Sequence, residues 1–179
     1  MSIPEIQISD LEKRHPGVSP GVSLFFAEAA VVCFARYHAS PVEMEVGRGA
    51  IQSVSASWDR PSDDLLRAWA NEIDTTEAAA YCVALASVEL TDGLVAVARA
   101  ETRTGADYYL GSVTDDDMDL ETSHRLEVSG VGEGTHGVVQ ARLRQKISQA
   151  AAGRSNLPAI AAVVGFAARR IMIDAVPQE

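Results

Sequence analysis

Lysine is almost missing from this chain: among 179 residues only Lys13 and Lys146 carry an ammonium. Arginine supplies the remaining positive charge, yet 15 Lys and Arg stand against 25 Asp and Glu, a formal net charge of −10. A free-standing nucleic-acid binder draws most of its affinity from neutralising phosphates and shows a basic balance. That balance is absent here, which excludes an unaided, whole-surface grip on nucleic acid. Cysteine is equally scarce. Cys33 and Cys82 sit singly in apolar stretches, which excludes a disulfide framework and a cysteine metal cluster and leaves core packing as their role. His15, His38, His124 and His136 are scattered without short ligand spacing, so a zinc site is not expected. The longest apolar run, residues 22–37, is interrupted by Glu28 and Arg36 and falls short of the roughly 20 residues of a membrane span. The first residues lack the basic region and apolar core of a secretory signal. The expectation is a cytoplasmic protein without membrane association, and no repeat or low-complexity tract contradicts it.

What is present is globular. A composition of 47% hydrophobic and 22% charged residues argues against disorder, and the length suits one domain with an N-terminal elaboration. Residues 1–20 read as an irregular arm with a short strand at residues 6–8. A largely buried helix follows through His38, ending before Pro41. Residues 42–46 alternate as a half-buried strand, and residues 51–58 continue extended. Pro61 opens a helix with Leu65, Leu66, Trp69 and Ile73 at helical spacing. Trp58 and Trp69 read as core or interface anchors. Thr75 or Thr76 caps the next helix, which runs to about Leu90 and ends at Asp92-Gly93.

Three short alternating segments then follow at residues 94–101, 106–110 and 125–129, punctuated by Gly105, Gly111 and Gly130. Alternation places Asp107 and Tyr109 on one face of their strand, and Arg125, Glu127 and Ser129 on one face of theirs. Two carboxylates can therefore meet on one side of a hairpin. A helix over residues 135–152 buries Val139, Leu143, Ile147 and Ala150, leaving Arg142, Arg144 and Lys146 to other faces or the margin. Residues 158–165 form a continuous apolar run, the mark of a strand buried on both faces. The acids of residues 115–121 crowd one loop without EF-hand spacing and read as solvated.

From Thr76 onward the order is helix, three strands, helix, strand. In that order, in Gly105-Ala-Asp-Tyr-Tyr-Leu110, and in Arg125-Leu-Glu-Val-Ser129, the chain resembles the PD-(D/E)XK, or restriction-endonuclease-like, nuclease superfamily over roughly residues 76–168. The wording is also similar to that of small uncharacterised bacterial proteins. The resemblance implies an α/β (α+β) fold with an αβββαβ core, a mixed sheet flanked by helices, in residues 76–179. Residues 1–75 would form an N-terminal helical elaboration packing on that core. It implies that Asp107 and Glu127 hold Mg2+ or Mn2+ and that Glu77 on the first helix assists. Oxygen donors suit such ions, which take one or two carboxylates together with waters and a substrate phosphate. Glu101 is an alternative ligand.

The motif lysine is replaced by Ser129, which is short and neutral. Lys146, on the following helix, is one substitute, in a place where the superfamily is known to relocate its lysine. Arg125 is another, although its guanidinium stays protonated and can only stabilise charge. Two readings follow. One is a metal-dependent nuclease acting on nucleic acid, brought to its substrate by a partner protein because of the chain's acidity. The other is a non-catalytic interaction or regulatory subunit that retains the scaffold and needs no cofactor. The apolar helix and two tryptophans of residues 1–74 suit either cover for a sheet face or a homo-oligomer contact.

Overall fold

Local sequence signals set most element ends. In the computed structural model, which describes residues 2–48, 50–102, 104–112, 122–153 and 155–177, Ser19 caps helix α1 (Pro20–Tyr37) by accepting from the Val22 N–H. Pro20 occupies the first turn, where its missing N–H costs nothing. The stretch opened by Pro61 does not continue as one helix. Helix α2 (Asp63–Ala68), capped by Ser62, stops at Trp69, and α3 (Glu72–Asp92) starts afresh under Asn71. The Asn71 side chain accepts from the Ile73 and Asp74 N–H groups, a stronger cap than the threonines expected at that end. Thr75 lies inside the helix, buried, with its hydroxyl donating to Trp69 O and Asn71 O. Gly93, at φ 65°, closes α3 in the left-handed conformation.

The strands are β1 (Val42–Arg48), β2 (Ala50–Ala56), β3 (Leu94–Arg99), β4 (Tyr108–Ser112), β5 (His124–Val131), β6 (Ala159–Gly165) and β7 (Arg170–Val176), with helix α4 (His136–Ala151) between β5 and β6. They form one mixed seven-stranded sheet in the order β2-β1-β7-β6-β5-β4-β3. The meander β3-β4-β5 is antiparallel, β5 and β6 are parallel across α4, and β6-β7 is an antiparallel hairpin. The expected α+β class with helices flanking a mixed sheet is met. The N-terminal segment joins that sheet through β1, which runs parallel to β7. The expected strand at residues 6–8 reduces to one bridge, Glu5 to Ser55.

Helices α1 and α3 cover one face. Phe26, Ala30, Cys33 and Phe34 pack with Ala79, Val83 and Leu85 and with the strand residues Leu110, Leu126, Ile160 and Ile171. On the other face α4 buries Val139, Leu143 and Ala150, with Ile147 partly covered, against Ala159, Ala161 and Val163. β6 is buried at every position, as its unbroken apolar run predicts. By length and composition α1 is the one described helix long and apolar enough to cross a bilayer, where the sequence reading sets it short of a span. A core helix passes the same test, and α1 is packed on α3, although Leu24 and Phe25 stay exposed.

Candidate functional site

The site lies where β4 parts from β5. Their ladder holds only Tyr108 to Leu126, Tyr109 to Arg125 and Leu110 to His124, whereas β5 continues to Val131 alongside β6. Beyond Leu126, β5 therefore has no strand on its β4 side among the described residues. Asp107 comes one residue before β4, and Glu127 one residue after the last β5 residue of that ladder. Gly105, at φ 68°, turns the chain into this position.

Asp107 fills the start of the gap. Its Oδ2 accepts from the Val128 N–H at 2.8 Å, as a strand carbonyl would, and its Oδ1 accepts from the Tyr81 hydroxyl at 2.7 Å. Nη2 of Arg99 stands 3.8 Å from the same oxygen and 3.3 Å from the Tyr81 hydroxyl, to which it donates. Burial, reinforced by the charge of Asp107, pushes the Tyr81 phenol well above its ordinary value, so it remains a protonated donor. Tyr81 itself is fixed by stacking on Phe26 and by the Arg99 guanidinium over its ring.

Glu127 faces the α4 layer. Its Oε1 accepts from Nζ of Lys146 at 2.7 Å, and both side chains are mostly covered, at 15% and 20% exposure. Burial raises the Glu127 carboxyl above the usual range. The hydrogen bond from Lys146 opposes that rise, and the charge of Asp107 adds to it. Asp107 and Glu127 thus reach the opening from different layers, rather than standing on one face as alternation predicts, and the charge of Asp107 is still felt at Glu127.

A cleft of about 490 Å³ spans this opening. Glu77 and Tyr81 of α3 line one side, Arg142 and Lys146 of α4 the other, with Ser129 and Gly130 of β5 between them. Gly130 is needed here, since a Cβ would lie 2.7 Å from Thr76 O. Of the residues singled out from sequence, Glu77, Asp107, Glu127 and Lys146 gather at or directly behind the cleft. Arg125 does not. It is 5% exposed, and its guanidinium donates to the carbonyls of Leu157, Ala150 and Thr104, so it ties the end of α4 and the loop after it to the β3–β4 connection. Glu101 accepts from the Tyr109 hydroxyl, outside the cleft lining. The acidic stretch 115–121 lies outside the described residues.

Two participants were missed by sequence reasoning. Tyr81 lies four residues after Glu77 and so shares its helix face, the one signal that places it here. Arg142 lies four residues before Lys146, and its Nη1 donates to Ser129 Oγ at 3.1 Å. As a place for a cation, the site offers two carboxylates, and Glu127 keeps Oε2 clear of any described hydrogen bond. Among the described residues no group of three or more His, Cys, Asp and Glu side chains is arranged to hold a metal. A pair suffices for an ion that also takes waters and a substrate phosphate. Comparison of the chain with protein-family models, curated proteins and solved structures finds no match.

Proposed function

We propose that this protein is a metal-dependent nuclease with a restriction-endonuclease-like αβββαβ core in residues 76–179, in which Asp107 and Glu127 hold Mg2+ or Mn2+. The observation that carries this reading is the 2.7 Å contact between Lys146 and Glu127. It returns an ammonium to the acid of β5 although Ser129 occupies the strand position of the lysine. When bound, such an ion lowers the pKa of a coordinated water and neutralises charge developing on a leaving oxygen.

The chain's own residues do the rest. Tyr81 and the Val128 N–H fix the Asp107 carboxylate, one oxygen each, at the start of the opening. Lys146 opposes the rise that burial imposes on the Glu127 carboxyl and places positive charge where a phosphorane would form. Glu77, lining the cleft, is placed to receive a proton from an attacking water. Attack of that water's oxygen on phosphorus then breaks one phosphorus–oxygen ester bond, and the departing oxygen takes a proton from solvent. The acidic total of the chain supports delivery to nucleic acid by a partner protein.

The non-catalytic reading has one observation in its favour: both oxygens of Asp107 already accept from protein donors. Incubation of purified protein with plasmid, single-stranded DNA and RNA, in Mg2+ or Mn2+, separates the two. The nuclease reading expects metal-dependent cleavage lost in Asp107→Ala and Glu127→Ala. Cleavage absent from the wild type under every condition, or retained by both variants, would overturn it.

A further inference from the structure

We infer that Arg142 grips the phosphodiester backbone of the nucleic acid at this cleft, with Ser129 as its positioning residue; the inference rests on the nuclease reading and names the contact that seats its substrate. Four residues along a helix rise about 6 Å, and two along a strand about 6.6 Å, so Arg142 and Lys146 on α4 stand in step with Ser129 and Glu127 on β5. Each helix cation meets one strand side chain: Lys146 to Glu127 at 2.7 Å, Arg142 to Ser129 at 3.1 Å. The outcomes differ in charge. Lys146 is neutralised by a carboxylate, whereas Arg142 is anchored by a hydroxyl that takes one of its five N–H donors and none of its charge.

The surroundings are polarised accordingly. Along the cleft α3 presents Glu72 and Glu77 without one base, and α4 presents Arg142 and Lys146 without one acid, with Glu133 of the preceding loop also in the lining. The cleft runs between these helices, so a cation is favoured on its α3 side and an anion on its α4 side. Arg142 is the exposed cation of that second side, and its planar fork matches two phosphate oxygens at once. Arg144 lies about half a helical turn away from Arg142, is also exposed, and does not line the cleft. It is the internal control.

The test is fluorescence anisotropy with short labelled single-stranded DNA, duplex DNA and RNA in Ca2+, over a series of salt concentrations, beside a Mn2+ titration of each variant. Arg142→Ala is expected to weaken oligonucleotide binding about tenfold, as the loss of a charge-assisted contact does. It should lower the slope of log affinity against log salt by about one and leave Mn2+ affinity unchanged. Arg142→Lys should restore the salt slope and only part of the affinity, and Arg144→Ala should match wild type. The inference is overturned if Arg142→Ala binds as wild type, if Arg144→Ala weakens binding equally, or if the wild type binds no oligonucleotide. Loss of the oligonucleotide effect with Mn2+ binding and cleavage intact rejects Arg142 alone. Loss of Mn2+ binding and cleavage from the wild type rejects the nuclease reading instead.

Discussion

At the scale of single residues, the pairing of Glu127 with Lys146 sets a sign. Burial makes the native Glu127 carboxyl hold its proton to higher pH than an unfolded chain would. Its contribution to stability is therefore present at pH below the unfolded value and is lost as pH rises through the native one. Divalent ions need the ionised form, so their binding falls as pH drops through that same raised value. Lys146→Met removes the hydrogen bond that opposes the rise. The acid limb of Mn2+ binding should move to higher pH in that variant, as followed by calorimetry across a pH series. A limb that stays in place would show that Lys146 does not act on Glu127. Asp107, Glu127 and Lys146 could be singled out from the sequence because acids inside alternating segments are uncommon and lysine is almost absent, and the structure brings the three close together. The fate of Arg125 was not legible. Strand alternation places it beside Glu127, but the carbonyls that absorb its guanidinium come from Thr104, Ala150 and Leu157, and no local pattern reveals such distant acceptors.

At the scale of elements, the cleft depends on how closely α3 approaches β5. Gly130 permits it: a methyl group there would meet Thr76 O at 2.7 Å, Thr76 Cγ2 at 2.8 Å and Ala80 Cβ at 3.1 Å. Gly130→Ala should destabilise the fold by about 1–3 kcal/mol through overpacking and move the Glu77–Tyr81 side of the cleft away from Lys146. Gly137→Ala, in α4, meets only Thr135 Oγ1 at 3.6 Å and should be neutral or mildly stabilising. Urea denaturation of the pair checks this, and equal midpoints would contradict it. The meander β3-β4-β5 and the α4-β6 crossover were readable from strand alternation, glycine punctuation and the stripe Val139, Leu143, Ile147, Ala150. The break between α2 and α3 was not. Leu65, Leu66, Trp69 and Ile73 keep helical spacing across it, yet Asn71 starts a new helix and Ile73 ends 78% exposed.

At the scale of the molecule, residues 1–75 and 76–179 share one sheet and one core. β1 pairs with β7, and Phe34 of α1 stacks on Trp58 and meets Phe166 edge-on after β6. Phe34→Ala should cost about 3–5 kcal/mol and lower a single melting transition; two separated transitions in calorimetry would contradict that unity. The same sharing brings acidic α3 and basic α4 to opposite sides of one opening in the sheet, which composition alone hides behind a net charge of −10. The central claim is that Asp107 and Glu127 hold one cation together across that opening. Calorimetric titration with Mn2+ tests it most directly: a saturable site in the wild type, abolished in both Asp107→Asn and Glu127→Gln while the fold is kept, is the predicted result. A wild type that binds no Mn2+, or binding that survives in either variant, would contradict it.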